Sequence, residues 1–546
     1  MRVNRYRGFL LLALCLSAVV QVAYLRSHPF PALLGGLFLE MATTVAESGT
    51  LPTTIHGFTT EGVPFAYPPL GFYVMAVFLK LGVDGVQLLR FGAPIVLLCI
   101  VALIYHLTVV LTDSPETGLV AGTITGTHVS LNTYLVGASG FVRGLGFLFM
   151  LVAMFGAYQY YAADGGRRAL AVALAGWALV VMTHPVHAVA AGAGVAAAWL
   201  VWDRSPRGLA AGAGIAIGGL VIASPWWLTV VSNHGPGTFF AGAGSHGSVN
   251  SSLSDLGEFV GWFWGSSHVL NWPAVFALVG AAVLVARGEW EQPAWLAAPV
   301  VLLVPPHGRL GILFVAPLGA VGFMLALSLL TDLDIDRPDI ETDRFARLRP
   351  SGVDLPDPSG RQVVAIAFFL VLVGPFVGQN VAAASGTSPY SPLPVYVDAE
   401  DRSAMEWIES ETAADARIAV VGGSSEWVPY LANRTSVIVK YGTEWSGGDT
   451  FDRHESAQNQ LTNCWNASCV NATLVDHEFA SEVDYLYVPY GGFMSGRSGT
   501  TIPPALHESL LASDQFTEVY HNKGVGIYAY NRTTAAGDPG RQPVGA

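Results

Sequence analysis

The chain has 546 residues and a mass of 57.7 kDa; 52% of the residues are hydrophobic, only 12% are charged, and the mean hydropathy is +0.46. Soluble domains carry about 25% charged residues, so this composition excludes a disordered chain, a collagen, a disulfide-rich miniprotein and an ordinary soluble enzyme. The formal net charge of −13 argues against a nucleic-acid-binding protein, which needs a basic surface to contact phosphates.

Apolar stretches near 20 residues long predict membrane-spanning helices. We therefore predict a polytopic α-helical membrane protein of about 11 spans within residues 1–383. In chain order, the predicted spans are 8–26, 91–111, 118–136, 141–161, 168–184, 186–202, 208–230, 269–287, 292–306, 310–330 and 363–383.

The apolar segment 67–83 is ambiguous, and the distribution of arginines decides its interpretation. Arg2, Arg5 and Arg7 place the N-terminus in the cytoplasm. If 67–83 does not span, the later arginine-rich loops, including 331–361, also fall in the cytoplasm; if it spans, they all fall outside. We therefore predict a re-entrant or interfacial helix at 67–83, within an outer loop at 27–90.

The last part of the chain differs in composition from the rest. From Val381 onward there are 20 acidic and nine basic residues, and the whole chain has three lysines. Acidic, lysine-poor surfaces are typical of halophilic proteins, because high salt screens the self-repulsion. Strands at 416–421, 436–440 and 483–488, a helix at 401–414 and a hairpin at 516–530 predict an extracellular α/β domain over 384–533. Residues 534–546 are predicted to be disordered.

The sequence carries two kinds of signal for an exterior location of this domain. Cys464 and Cys469 flank a WNAS segment, and an oxidising exterior favours a disulfide between them over two free thiols. Five N-x-Ser/Thr sequons all fall outside in the predicted topology and are candidate glycosylation sites: Asn250, Asn433, Asn466, Asn471 and Asn531.

Polar residues at membrane depth are costly and therefore informative. In the predicted topology they gather at the outer ends of the spans, where we identify six candidates for a functional site. A carboxylate such as Glu40 at the membrane surface suits a general base or a ligand of a divalent metal such as Mg or Mn. The candidates are Glu40, Arg143, His184, His187, His307 and Arg309.

The outer loop resembles the first outer loop of the GT-C glycosyltransferases, a superfamily that includes protein mannosyltransferases and aminoarabinose transferases. The matching features are Glu40 after the first span, Gly-Thr-Leu-Pro at 49–52 and Tyr-Pro-Pro-Leu at 67–70. The architecture matches over residues 1–330, and residue-level matches lie within 30–90. The chain departs from the family in having Glu where Asp is common, no second acid two residues away, and no WWDYG sequence.

The resemblance implies an inverting transferase of the hexosyl or mannosyl type. Its donor would be a polyprenyl (dolichyl) phosphate sugar, and its acceptor a glycan, a lipid or a protein on the outer membrane face. Glu40 would take the proton of the acceptor hydroxyl, and Arg309 would stabilise the leaving phosphate. Arg143 would bind the donor phosphate or pair with Glu40, and His184, His187 and His307 are candidate ligands of the same site.

Other interpretations of these residues stay open. Arg309 has the properties of an interfacial arginine that extends to water, and His184 and His187 bracket a Pro185 turn in which satisfied histidines need no ligand. At the level of function, the alternative is a polytopic transporter or a lipid or glycan flippase. Such a protein would place ionisable residues at mid-bilayer and show internal repeats, which this sequence does not.

Overall fold

The computed structural model describes residues 2–31, 34–245, 271–303, 308–332, 360–385, 397–490, 492–495, 497–501 and 504–532. Up to residue 385 the described chain is mainly helical, and after residue 397 it forms a smaller region around a five-stranded sheet. This arrangement confirms the predicted fold class, a polytopic helical chain followed by an α/β region.

The helical region consists of helices that follow one another with short connections. Several begin where the sequence supplies a cap: the side chains of Asp84, Ser114 and Ser205 each accept a hydrogen bond from the main-chain N–H group three residues further on. The helices are α1 Arg2–Ser27, α2 Gly35–Ser48, α3 Leu70–Lys80, α4 Gly85–Thr112, α5 Pro115–Thr127, α6 Val129–Leu131, α7 Phe141–Tyr161, α8 Gly166–Val181, α9 Pro185–Ala198, α10 Pro206–Ile222, α11 Ser224–His234, α12 Gly237–Ser245, α13 Trp272–Ala286, α14 Glu291–Leu303, α15 Ile312–Asp332 and α16 Gly360–Ala384.

Each of the eleven predicted spans coincides with helix in the described part of the chain. Six helices there are long and apolar enough to cross a membrane, or seven if the bent pair α10–α11, with an angle of 60°, is one span. Four predicted stretches correspond to shorter helices: 118–136 to α5, α6 and a π-helical turn, 168–184 to α8, 269–287 to α13 and 292–306 to α14. The number of spans and their orientation therefore stay predictions.

The chain between α1 and α4 holds the predicted outer loop. It contains α2, a small hairpin of β1 Thr54–Ile55 and β2 Val63–Pro64, and then α3. Helix α2 ends at Gly49, which has a φ of +66° that favours glycine. Helix α3 has 11 residues, and a membrane span needs about 20. This length agrees with an interfacial or re-entrant helix, whose position relative to a membrane stays a prediction.

The C-terminal region is a mixed sheet with helices on both faces. The strand order is β4–β3–β5–β9–β8, with β3 parallel to β4 and β5, and β9 antiparallel to β5 and β8. The strands are β3 Arg417–Val420, β4 Thr435–Ser436, β5 Tyr485–Pro489, β8 Phe516–His521 and β9 Val525–Tyr530; a separate pair is β6 Gly492–Ser495 and β7 Arg497–Thr501. The helices are α17 Ala399–Glu411, α18 Val428–Ala432, α19 Gly448–Asn463, α20 Ala467–Asp476 and α21 Pro504–Leu511.

Alternation along the strands divides the core of this region in two. Ile418 and Val420 of β3 pack with α17 and α18, whereas the neighbouring Ala419 faces α19, α20 and α21 on the other side. A disulfide between Cys464 and Cys469, as predicted, joins the end of α19 to the start of α20. Sequence patterns also located β3, β5, the β8–β9 hairpin and α17 to within a few residues.

The outer loop is hydrogen-bonded to the edge of this sheet. Ser436 of β4 donates its N–H to the Gly57 carbonyl at 2.8 Å, and its carbonyl accepts from the Thr59 N–H at 2.9 Å. Phe58 therefore pairs with Ser436 as an extra, parallel bridge. The loop and the C-terminal region share main-chain hydrogen bonds as well as side-chain contacts.

The predicted strand at 436–440 is wrong beyond its first residue. Strand β4 ends at Ser436, and the chain then turns toward the helical region. Val437 and Ile438 pack in the sheet core, whereas Val439 packs with the helical region, so the run is apolar because it is buried from two sides. Candidates His307 and Asn250, residues 534–546 and most of the predicted cytoplasmic loop 331–361 lie outside the described residues, and the domain boundaries stay predictions.

Candidate functional site

Arg143 is held at the start of α7 by main-chain acceptors. Its Nη1 donates to the Tyr134 carbonyl at 3.1 Å and its Nη2 to the Ala138 carbonyl at 2.8 Å. Both acceptors lie in or beside a π-helical turn, Asn132–Gly137, which exposes carbonyls that a regular helix would use internally. Arg143 is 8% exposed, so it lies beneath the surface.

Arg309 lies in the 3₁₀ turn that leads into α15, and it meets Arg143 at Tyr134. Its guanidinium carbon is 5.8 Å from the centre of the Tyr134 ring, and Arg143 is close enough for the two positive charges to repel. Arg309 is 8% exposed and its Nε has no hydrogen-bond partner. Tyr134 itself is 43% exposed, so the two arginines lie under an accessible ring.

No carboxylate in the described part of the chain forms an ion pair with either arginine. Buried charges are costly unless they are paired. Two neighbouring guanidinium groups without a carboxylate form a site that an anion would stabilise, and their fork geometry suits phosphate. We call Arg143 and Arg309 the arginine pair.

Tyr67, from the YPPL segment, connects the outer loop, the helical region and the C-terminal region. Its ring contacts Phe38 of α2 at 5.7 Å, His184 at 6.0 Å and Trp445 at 6.0 Å, measured between ring centres. Burial raises the pKa of its hydroxyl, which the charges of Arg143, Arg309 and Glu444 also reach. The three parts of the chain therefore converge on one phenol beside the arginine pair.

His184 and His187 are both buried behind Tyr67. Their ring centres are 4.3 Å apart, and Gly146 of α7 leaves the space that they fill, since a Cβ there would be 2.6 Å from His184 Cβ. The two histidines thus lie side by side, and His184 contacts Tyr67. Whether they bind a ligand stays a prediction.

Glu40 forms no ion pair with either member of the arginine pair in the described part of the chain. It is half-buried on α2, its charge reaches the Tyr430 hydroxyl of α18, and burial followed by repulsion from Glu47 raises its pKa to about 7. Phe38, two residues earlier and so on the opposite side of the helix, is the residue that faces Tyr67. Neither arginine is among the charges that act on Glu40, so the structure does not pair Arg143 with Glu40.

Two buried glutamates of the C-terminal region, which the sequence did not single out, approach the same place. Glu426 is 1% exposed and Glu444 is 5% exposed, and burial raises the pKa of each to about 7. The charges of both glutamates and of Arg143 act on the hydroxyl of Tyr441. We call Glu426 and Glu444 the carboxylate pair. No motif marks these residues, and only their burial by packing distinguishes them.

The described residues do not fit the predicted divalent metal. Among them, no group of three or more His, Cys, Asp or Glu side chains comes close enough to hold a metal ion. Glu40 has one acidic neighbour by charge, Glu47. We therefore assign no step to a metal.

The sequence matches no protein-family model and no curated protein. Solved structures nevertheless resemble most of the chain. The archaeal oligosaccharyltransferase AglB from Archaeoglobus fulgidus, in complex with an inhibitory peptide and a dolichol-phosphate, superposes with a TM-score of 0.56 at 12% identity, covering 89% of this chain and 69% of its own. Another structure of that enzyme contains Zn and sulfate.

ArnT from Cupriavidus metallidurans, bound to undecaprenyl phosphate, superposes with a TM-score of 0.53 at 16% identity, covering 98% of this chain and 99% of its own. The arabinofuranosyltransferase AftD from Mycobacteria gives 0.52 at 16% identity, covering 96% of this chain and 41% of its own. The chain has the GT-C fold. At these identities the likeness is one of fold, and it confirms the resemblance that the YPPL loop indicated. The GT-C fold thus includes both the helical region and the region that carries the carboxylate pair.

Proposed function

We propose that the protein transfers a sugar from a polyprenyl-phosphate donor to an acceptor at the membrane surface. The observation that carries this proposal is the arginine pair: two buried guanidinium groups that share Tyr134, lack a carboxylate partner in the described residues and lie beside an exposed ring. A lipid phosphate supplies the missing anion, and its chain would extend along the apolar helices. The similar proteins AglB and ArnT have been solved with dolichol-phosphate and undecaprenyl phosphate.

The proposed reaction is a single inverting displacement. The acceptor hydroxyl attacks the anomeric carbon, the bond from that carbon to the phosphate oxygen breaks, and the electron pair leaves with the polyprenyl phosphate. The arginine pair stabilises the charge that develops on the leaving phosphate. The acceptor proton passes to a carboxylate, and Glu40 stays our predicted base because a pKa near 7 suits proton acceptance at neutral pH.

The finer parts of the proposal rest on the sequence. They are a hexosyl or mannosyl donor, a glycan, lipid or protein acceptor, an outer-face site in the cell envelope of a halophilic archaeon, and a cytoplasmic N-terminus. The bent helix pair α10–α11 is the observation that favours the alternative, because broken spans occur in transporters. A flippase would bind a prenyl phosphate without transferring its sugar.

The experiment combines binding with a cellular readout. The purified protein in lipid nanodiscs is titrated with dolichyl phosphate and with undecaprenyl phosphate, as the wild type and as Arg309→Gln. Surface glycans and lipid carriers are compared by mass spectrometry between cells with the gene, a deletion, and the deletion complemented with Glu40→Gln. We expect binding that Arg309→Gln weakens about tenfold or more, and the loss of one sugar in the deletion.

The outcomes separate the alternatives. No binding of either lipid and an unchanged glycan profile would overturn the transferase. Binding with an unchanged profile, and with sugar-linked lipid confined to one leaflet in the deletion, would favour the flippase. If Glu40→Gln restores the glycan at normal protein level, the transferase stands and the base is another residue.

A further inference from the structure

Glu426 has one carboxylate oxygen that is anchored and one that is not. It lies at the start of α18, where the Ser425 side chain hydrogen-bonds its carboxyl group. Gln458 Nε2 donates to that Ser425 hydroxyl at 3.0 Å and to the Gly422 carbonyl at 3.1 Å, which fixes the anchor. The other oxygen, Oε2, is buried without a hydrogen-bond partner. A buried acceptor without a donor is destabilising, and a bound donor would offset that cost.

Glu444 lies close by on the turn that follows β4. Its Oε2 accepts a hydrogen bond from the Gly442 main-chain N–H, and its negative charge reaches Glu426. Lys440 acts on both carboxylates by charge, but its ammonium is paired with Glu455. The carboxylate pair is therefore set by its own loops, and Glu426 is the member that presents an open oxygen.

The carboxylate pair and the arginine pair meet near Gly35: a Cβ there would overlap Trp427, which follows Glu426, and would be 2.5 Å from Ser139, which follows the Ala138 that accepts from Arg143. In the part of the chain that the structure describes, no ion pair joins Glu426 to Arg143 or Arg309. Opposite charges inside a protein attract each other strongly, so a direct contact between them would be favourable. The two pairs come from different regions of the chain, which the packing on Gly35 brings together, and the charges of the carboxylate pair and of Arg143 all act on the Tyr441 hydroxyl.

The groups around the open carboxylate of Glu426 favour some ligands over others. The positive charge of Lys440 acts on both carboxylates and disfavours a further cation, and the carboxylates lack a third acidic or histidine ligand among the described residues. Neutral hydroxyl groups have no such penalty and donate hydrogen bonds to carboxylate oxygens. Tyrosine rings beside them suit the apolar face of a sugar.

We propose that Glu426 and Glu444 form a hydroxyl-binding subsite that holds a sugar ring next to the phosphate bound by the arginine pair. This inference rests on the proposed function for the phosphate, and it goes beyond it in assigning sugar recognition to the C-terminal region. The sugar comes from the donor or from a glycan acceptor, and the two sources are separated by the probes.

The test compares a lipid phosphate with and without its sugar. Dolichyl phosphate, dolichyl phosphate mannose and dolichyl phosphate glucose are titrated into the full-length protein in nanodiscs, and methyl mannoside and methyl glucoside are titrated separately. The variants are Glu426→Gln, Glu444→Gln, Arg309→Gln and the exposed control Glu409→Gln, each with its melting temperature measured to verify folding. Glutamine keeps the volume of the side chain, so a change in binding reports the carboxylate.

If the sugar belongs to the donor, we expect Glu426→Gln to weaken the binding of a sugar-bearing lipid about tenfold, while the affinity for dolichyl phosphate changes by no more than about twofold. If the sugar belongs to the acceptor, the lipids bind with unchanged affinity and the binding of a methyl glycoside is weakened instead. Arg309→Gln should weaken the binding of all the lipids alike, and Glu409→Gln should change the binding of none of them.

If folded Glu426→Gln and Glu444→Gln bind every probe as the wild type does, the subsite is overturned. A wild type that binds a methyl glycoside in a Glu426-dependent way, but no lipid phosphate, would overturn the proposed function and leave the subsite standing.

Discussion

The main-chain carbonyl of Glu426 lies so close to Gly36 that any Cβ on Gly36 would overlap it. The N-terminal turn of α2 is thereby set against the residue that carries the open carboxylate, and neighbouring Gly35 packs equally closely on Trp427. We expect Gly36→Ala to weaken docking of the C-terminal region, with a cost of about 1–3 kcal/mol from overpacking. Thermal unfolding measures the loss of stability, and limited proteolysis measures the weaker docking of the C-terminal region.

Gly8→Ala is the matched control for this change. Gly8 also lies in a helix, and a Cβ there meets no atom within 4 Å. It should leave the melting temperature unchanged or raise it, because alanine favours the helix. Equal melting temperatures for Gly36→Ala and Gly8→Ala would contradict the close packing of α2 against α18.

The two arginines should separate stability from binding. Arg143→Gln removes donors from the Tyr134 and Ala138 carbonyls and should destabilise the protein by about 1–3 kcal/mol. Arg309 donates no such hydrogen bond in the described residues, so Arg309→Gln should leave the melting temperature unchanged or raised while it weakens dolichyl phosphate binding. Scanning calorimetry and lipid titration on the same samples test this, and an equal loss of stability in both variants would refute it.

The carboxylate pair should make stability depend on pH. Burial raises the pKa of both Glu426 and Glu444 to about 7 in the folded state, above the value of about 4.5 for an unfolded glutamate. Between these values the folded state keeps protons that the unfolded state has lost, so the free energy of unfolding falls as pH rises from about 5 to 7, by at most about 1.4 kcal/mol per pH unit for each group.

The double variant Glu426→Gln/Glu444→Gln removes this contribution. Its stability relative to the wild type should rise as pH increases through that window, whereas Glu409→Gln should run parallel to the wild type. Denaturant unfolding at several pH values gives both differences. A constant difference across pH 5 to 8 would show that the pair ionises as exposed glutamates do.

The disulfide should stabilise the C-terminal region. It closes a loop between Cys464 and Cys469, five residues apart in sequence. Loop-closure entropy for so short a loop gives about 2 kcal/mol. The double variant Cys464→Ser/Cys469→Ser should lower the free energy of unfolding by about that amount, and a reducing agent should affect the wild type but not the variant. A reducing agent without effect on the wild type would contradict the bond.

Exposure predicts which sequon carries a glycan. Asn433 is exposed at the end of α18, whereas Asn531 Nδ2, the atom that a glycan would modify, donates to the Asp514 carbonyl at 3.1 Å and to Thr517 Oγ1 at 3.2 Å. We expect glycopeptide mass spectrometry to find Asn433 occupied more fully than Asn531. This result would also place the C-terminal region outside the cell, and the reverse order of occupancy would contradict the prediction.

The sequence was informative where a physical signal is local. The apolar stretches located helices, of which six or seven in the described part of the chain are long and apolar enough to span, and the YPPL segment, with Glu40 before it, indicated the GT-C fold that the solved structures confirm. Arg143 and Arg309 were identified because an arginine at membrane depth is costly wherever it lies. That they share Tyr134 could not be predicted, because a π-helical turn far from Arg309 in sequence creates the contact.

The carboxylate pair shows what local patterns miss. Glu426 and Glu444 stand in short turns with ordinary composition, and a glutamate there is usually solvated. They are buried because α2 lacks side chains at its first two residues and because Val439 leaves the sheet for the helical region. Both causes act between segments that are distant in the sequence. They follow from the tertiary structure and leave no periodic pattern of apolar residues around the two glutamates.

The bridge between Phe58 and Ser436 has a practical consequence for isolating the C-terminal region. Within the full chain, both main-chain groups of Ser436 are occupied by Gly57 and Thr59. A fragment that begins after α16 would leave the main-chain groups at the β4 edge of the sheet unpaired, and a second copy of the fragment could pair a strand of its own with that edge. A monomeric fragment for crystallisation or antibody selection should therefore carry the Gly57–Thr59 segment, fused or added as a peptide.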